Sequence, residues 1–288
     1  MIGPAGPADW TAALRLLYRD SPLSERRQAN LLVLMSAGEV DPAGLLIAKD
    51  KGDIVGVQLA VPLAGSVGLL VPPVVSEPNP SLEDALVAAG FAFLRSRQAK
   101  IVQAVLDDLD GAAPLLRGGM RVLTRLIHLR HELGEAPAPP VCASASYAAA
   151  PSLFRDTLLR TYEGTLDCPE LNGTRSGEEI IAGHQAQGRF QPELWRLFRK
   201  DDAPLGVLLL NPLRDEPAWD LSYLGVVPEQ RRRGVGTLLL MHALRLAHDG
   251  GALELQVAVD ERNRPALELY KGHGFAESHR HVALLATL

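Results

Sequence analysis

Arg231-Arg232-Arg233-Gly234-Val235-Gly236 lies between an apolar run, Leu221 to Val227, and a helix-period run, Thr237 to His248. Glycines let a backbone approach a ligand closely, and the helix that follows opens with unpaired N–H groups and the positive end of its dipole. Three arginines add positive charge at that end. The stretch reads as a phosphate cradle, with a solvated basic turn as the plainer alternative. Two familiar nucleotide loops do not fit. A dinucleotide fingerprint needs a third small residue where Leu239 stands, and a Walker loop needs a Gly-Lys-Ser/Thr that is absent.

Downstream, Ala252 to Val259 alternates apolar and polar residues as a strand does. Asp260-Glu261-Arg262-Asn263 breaks the run. A short helix from about Arg264 to Lys271 carries Tyr270, and Gly272-His273-Gly274-Phe275 ends it with glycines able to take the left-handed C-cap conformation.

Here the chain resembles the GNAT superfamily of acyl-CoA-dependent N-acetyltransferases. Three segments carry the resemblance: Leu224-Gly225-Val226-Val227-Pro228-Glu229, then Arg231-x-x-Gly234-x-Gly236, then Asn263-x-x-Ala266-x-x-x-Tyr270 followed by Gly274-Phe275. Order and spacing agree as well as composition, over roughly the last half of the chain. The resemblance implies acetyl-CoA (coenzyme A) as cosubstrate. It implies a strand that splays from its neighbour, so that Leu224 to Val226 pair with the pantetheine arm. The loop Arg231, Arg232, Arg233, Gly234, Val235, Gly236 and Thr237 would hold the diphosphate through its amides, and Asn263 would contact the cofactor. Tyr270 would face the thioester sulfur and protonate the departing thiolate as a general acid. A tyrosine hydroxyl titrates near about pH 10 and is protonated at neutral pH. The plainer reading is a tyrosine packed against Leu267 with its hydroxyl satisfied.

Amine acetylation also needs a proton acceptor. The strand before the loop offers Asp220 and Ser222; the next offers Glu254, Gln256 and Asp260. These stay open, each with a solvated strand residue as its alternative.

Composition fits an enzyme with two cores: 288 residues, 47% hydrophobic, net charge −5. Nucleic-acid binding would bring a larger basic patch than one arginine triplet. No apolar run approaches the roughly 18 residues of a membrane span, and Met1-Ile2-Gly3-Pro4-Ala5 lacks the charged and apolar regions of an export signal. Cys142 and Cys168 are too few for a disulfide scaffold. The expectation is a cytoplasmic protein with reduced thiols and no nucleic-acid or membrane partner.

Along the chain an internal repeat is visible. Leu45 to Lys49 and Ile54 to Val61 read as paired strands around a charged turn, and Glu193 to Phe198 and Pro204 to Asn211 repeat them around Lys200-Asp201-Asp202. Gly56-Val57-x-Leu59-x-x-Pro62-Leu63 echoes Gly206-Val207-x-Leu209-x-x-Pro212-Leu213. Ala99 to Asp108 aligns with Ala252 to Glu261, and a helix from about Leu82 to Arg95 precedes the first as Thr237 to His248 precedes the second. The expected fold is α/β (α+β), two tandem GNAT-like units, each a mixed, mostly antiparallel sheet flanked by helices. The expected domains are 1–134, a Pro- and Ala-rich linker over 135–150, and 151–288. Mycothiol synthases share this broad layout, although no motif here implies their substrate.

The units are not equivalent. In place of the arginine loop the first has Pro72-Pro73-Val74-Val75-Ser76-Glu77-Pro78-Asn79-Pro80. Its prolines remove N–H donors, and Glu77 carries the wrong charge for a diphosphate. Arg117 lies near the position matching Tyr270. The first unit reads as degenerate and the second as catalytic.

The acceptor pocket would involve helices at about Ser152 to Tyr162 and Gly177 to Gln185. Glu163, Asp167 and Glu170 between them suit a cationic amine, or form a polar loop. Cys168 reads as a small buried or idle thiol, and His184, His242, His248 and His273 form no metal-ligand pattern, so no metal is expected. The leading expectation is an acetyl-CoA-dependent N-acetyltransferase in which a primary amine attacks the thioester directly. Alternatives are transfer of a longer acyl or aminoacyl group and a non-catalytic acyl-CoA-binding module.

Overall fold

The computed structural model describes residues 1–21, 24–134, 138–214 and 216–288. They divide into two compact units, Met1–Leu123 with Val282–Leu288, and Thr124–His281.

The first unit contains β1 (Ile2–Pro4), α1 (Trp10–Leu17), α2 (Ser24–Ser36), β2 (Leu45–Asp50), β3 (Asp53–Leu63), β4 (Val67–Leu70), β5 (Val74–Val75), α3 (Pro80–Ser96), β6 (Ile101–Leu106), α4 (Ala113–Arg117) and the start of β7 (Arg121–Glu132). Strand order is β1-β2-β3-β4-β6, with β5 on β3; Val282–Thr287 pairs antiparallel with β6. β4 and β6 are parallel. β3 is apolar without alternation because helices cover both of its faces. Val57, Leu59 and Val61 pack with Leu14 and Leu31, whereas Ala60 packs with Val87 and Leu94 of α3.

The second unit continues with the rest of β7, then β8 (Ala143–Ser146), α5 (Pro151–Thr161), α6 (Gly177–Gln185), β9 (Arg196–Lys200), β10 (Ala203–Pro212), β11 (Ala218–Val226), α7 (Val235–Asp249), β12 (Glu254–Asp260), α8 (Arg264–Gly272) and β13 (Ala276–Thr287) as far as His281. The order is β13-β7-β12-β11-β10-β9-β8. β11 and β12 are parallel, while β7 meets β12, and β10 meets both β11 and β9, in antiparallel register. β10 repeats the logic of β3. Its Leu208 and Leu210 join α7 residues Leu239 and Leu240, and its Val207 and Leu209 join Phe154, Ile180 and Trp195 on the other face.

The repeat read from sequence extends to the turns. β2 and β3 are joined through Lys51 (φ 50°) and Gly52 (φ 102°), β9 and β10 through Asp201 (φ 47°) and Asp202 (φ 64°). Each hairpin closes on the pairs flanking two left-handed residues, Asp50↔Asp53 and Lys200↔Ala203. Each ladder then slips, at Ala48/Lys49 and at Pro204/Gly206. The expected helices and strands all form, within a few residues of the expected limits: α3 spans Pro80–Ser96, α7 Val235–Asp249 and α8 Arg264–Gly272.

The division between units falls inside β7, ahead of the segment 135–150. Residues 124–132 are tied to the second unit by the seven-pair register of β7 with β12, from Glu254↔Glu132 to Asp260↔Leu126. Of 135–150, residues 135–137 lie outside the described residues, and Ala143–Ser146 pairs with β9. A proline-rich composition marks irregular chain there, but the backbone partner of a strand is not written in its own composition.

Candidate active site

β11 and β12 form a fork. Their parallel ladder runs over Ala218↔Glu254, Trp219↔Leu255 and Asp220↔Gln256. Beyond it β11 pairs with β10 and β12 with β7, so the facing edges from Leu221 and Val257 onward carry backbone groups without a ladder partner. Ser222 is the extra residue of a bulge in β11, since Leu209 faces Tyr223 and Leu210 faces Leu221. Gly225 is required by close packing: a Cβ there would lie 2.5 Å from Tyr223 and 2.6 Å from Thr161 Oγ1.

A cavity of about 440 Å³ fills the fork, lined by both strands, by the arginine loop and by α8. Leu224, Val226, Arg231, Arg232, Gly234, Gly236, Thr237, Asn263 and Tyr270 all line it. Two of the residues singled out from sequence do not. Val235 is buried in the core with Leu239, and Arg233 is exposed.

The loop is shaped for an anion. Gly234 caps α7 at φ 78° and no side chain caps the helix, leaving its first-turn amides to other acceptors. Arg232 also takes a left-handed conformation, φ 61°. Arg231 has a different part. Its Nε donates to Val226 O at 3.1 Å, Nη1 to Gly164 O at 3.1 Å and Nη2 to Thr161 O at 2.9 Å. The guanidinium is committed to backbone carbonyls and holds the loop. The contrast with α3 is chemical: there Asn79 accepts from Leu82 N and a proline occupies the first turn, so that helix start already has its acceptor.

At the other wall, Asn263 caps α8, its Oδ1 accepting from Ala266 N at 3.3 Å. Tyr270 is 5% exposed, and burial holds its hydroxyl well above the ordinary value of 10, with Asp167 and Asp220 adding to the shift. It stays protonated at neutral pH. It is also part of the core with Leu267.

Asp167 lines the cavity. Its Oδ1 accepts from Asp260 N at 3.1 Å, and burial raises its pKa, with the Asp260 charge acting in the same direction. Asp260 is fully buried and saturated. It accepts from Thr124 Oγ1 at 2.6 Å, from Cys168 N at 3.1 Å and from Arg262 Nη2 at 2.6 Å. Burial pushes its carboxyl up, but the bonds from Arg262, Thr124 and the backbone prevail and hold it at about 2. A carboxylate so held is a poor base. Glu170 is bound to Arg262 at 2.6 Å.

The remaining proton-acceptor candidates separate. Ser222 lines the cavity and donates to Asp220 Oδ2 at 2.6 Å while accepting from Asn211 Nδ2 at 2.8 Å. Burial raises the Asp220 pKa against the Ser222 bond. Glu254 and Gln256 lie outside the lining and bond to one another at 2.6 Å. Burial, with Asp167 and Asp260 nearby, pushes the Cys168 thiol far up, so it is inert as a nucleophile. His184, His242, His248 and His273 bond to Tyr162, Pro140 O, Asp249 and Leu269 O respectively.

Sequence reasoning missed Thr161 and Tyr223, whose hydroxyls lie 2.8 Å apart at the cavity wall. Only Gly225 hinted at them, through the space it leaves.

Residues 159–275 match the model of the acetyltransferase (GNAT) family. The mycothiol acetyltransferase of Thermomonospora curvata is 28% identical over 182 residues, 58% of this chain and 57% of that one. That of Nocardia farcinica is 25% identical over 295 residues, 92% of this chain and 88% of that one. The match to the former thus spans less than two thirds of its length. Among solved structures, a tandem GNAT protein from the clavulanic acid biosynthesis pathway superposes with a TM-score of 0.55 at 16% identity, covering 100% of this chain and 98% of its own. That likeness is one of fold. No helix among the described residues is long and apolar enough to cross a membrane.

Proposed function

Because residues 159–275 match the model of the acetyltransferase (GNAT) family, we propose that the second unit is the catalytic one and transfers an acetyl group from acetyl-CoA to a primary amine. The observation that carries this reading is the junction of three features in one cavity: the open edges of β11 and β12, the uncapped start of α7, and Tyr270. The open edge at Leu224 to Val226, apart from the Val226 carbonyl that Arg231 holds, suits the amides of a pantetheine arm, and the loop from Arg231 to Thr237 suits a diphosphate. The thioester then lies in the fork with Tyr270 beside it.

The amine reaches the cavity as an ammonium, attracted by Asp167. Asp167 accepts one proton, and the amine nitrogen forms a bond to the thioester carbon. Collapse of the intermediate breaks the carbon–sulfur bond, the electron pair leaves on sulfur, Tyr270 supplies the proton that yields the free thiol, and the second proton lost by the nitrogen restores the Tyr270 hydroxyl. Ser222 and Asp220 offer a second proton route from the same wall. Burial favours a carboxylate whose affinity for protons is raised.

Calorimetric titration with acetyl-CoA, beside a Gly234→Glu variant, is the decisive experiment. One site per chain, lost in the variant, supports the reading; two sites would give the first unit a cofactor role, and no binding would overturn it. Turnover is then read over a panel of primary amines that includes the acceptor of mycothiol acetyltransferases. Binding without turnover on any amine leaves an acyl-CoA-binding module, and tighter binding of longer acyl donors leaves a different acyltransferase.

A further inference from the structure

His128, His279 and His281 meet where β7 and β13 run side by side. His128 is separated from the other two by about 150 positions in sequence, and none of the three lines the cavity of the fork. His279 and His281 are alternate residues of one strand and so share a face. One ring nitrogen from each lies within 4.8 Å of the other two. His281 Nδ1 and His128 Nε2 are 3.0 Å apart. The rings of His128 and His279 stack at 4.1 Å and 12°, and that of His281 stands edge-on to both, at 82° and 71°.

Three clustered imidazoles repel one another if they carry charge. Lone pairs on neutral imidazoles are what a borderline metal ion takes.

We propose that His128, His279 and His281 form a binding site for one divalent cation of the zinc class, with water completing the coordination. Two imidazole nitrogens on a zinc at about 2.0 Å stand about 3.3 Å from each other in tetrahedral geometry. The His281–His128 spacing is already of that size; the ring that donates across it shifts its proton to its other nitrogen, and the ion takes the place between the two rings. The stacked pair must open, because the lone pairs of parallel rings run side by side; rotation about χ2, a soft torsion, does this. Outer support is present. Ser278 Oγ donates to His128 O at 3.2 Å and stands 2.9 Å from His279 Nδ1. The neighbouring Arg280 is neutralised by Glu277 at 2.5 Å. Zinc here clips β13 to β7, a structural role distinct from the acetyl-transfer chemistry.

The test uses the untagged full-length chain, stripped with chelator and titrated with zinc chloride by calorimetry, with cobalt(II) as a visible-absorption probe of nitrogen ligation. His279→Gln and His281→Gln are run beside it, with His273→Gln as the control outside the cluster. The expected result is one zinc per chain, a melting temperature that rises with zinc concentration, and intense cobalt bands. Loss of a ligand exceeds loss of an outer partner, so each cluster variant should weaken binding more than about a hundredfold while the control does not. His279 is exposed, so its replacement leaves the zinc-free melting curve unchanged. No zinc binding by the parent chain, or parent-like affinity in both cluster variants, overturns the proposal.

Discussion

Arg231 Nη2 donates to the carbonyl oxygen of Thr161 at 2.9 Å, joining the cradle loop to the last turn of α5. The Arg231 side chain therefore fastens the loop, whose amides the sequence reading assigns to the diphosphate. Hydrogen bonds from a charged donor are worth about 1.5–3 kcal/mol each, less where water reaches them. Arg231→Gln should cost about 2 kcal/mol of stability and raise the KM for acetyl-CoA, with kcat reduced far less. Arg232→Gln, which removes charge without the clamp, should weaken acetyl-CoA binding and leave the melting temperature in place. If the two variants behave alike in melting and binding assays, the clamp is not what Arg231 provides.

Tyr270→Phe removes the proposed acid but keeps the ring that packs with Leu267 and Phe275. A thiolate is already a fair leaving group, so the loss should be about a hundredfold in kcat, the lower end for general acid catalysis. Acetyl-CoA affinity should hold. Single-turnover rates that match the parent enzyme would remove Tyr270 from the chemistry.

The stretch from β11 to α8 was legible because its determinants are local. Gly234 must take a positive φ to start α7 without a side-chain cap, Asn263 caps α8, and apolar spacing sets the helices between. What was not legible depends on long-range register. Val282 pairs with Leu106 and Glu254 with Glu132, and nothing in either partner's neighbours in sequence announces it. The Asp167–Asp260 contact spans 93 positions. The His128–His281 contact spans 153. A search for metal-ligand spacing along the chain passes over both, since His279-x-His281 gains meaning only beside β7.

Asp260 gives a pH prediction with a definite sign. Its folded pKa, about 2, lies below the ordinary 3.8. Its contribution to stability is therefore complete above the unfolded value and is lost as pH falls through about 2. Asp260→Asn should be destabilised at neutral pH, where the parent keeps the charged bonds to Arg262 and Thr124. The deficit should shrink steadily below about pH 4 as the parent carboxylate takes up its proton. Urea unfolding at a series of pH values reads this directly; a deficit that stays constant down to pH 2 would mean packing, not charge, is what Asp260 supplies.

Asp167 tests the proton path. Burial raises its pKa from the ordinary 3.8, and the amine can transfer a proton to it only while it is ionised. The acid limb of kcat/KM should then sit above about pH 4, shifted upward in the direction of that raised pKa. Asp167→Asn should lower kcat/KM for the amine by about a hundredfold and abolish that limb, with the acetyl-CoA KM little changed. Asp220→Asn, one hydroxyl further from the cavity through Ser222, should cost less and keep the limb. The reverse ranking, with the limb lost in Asp220→Asn and retained in Asp167→Asn, would transfer the role of proton acceptor to the Ser222–Asp220 pair.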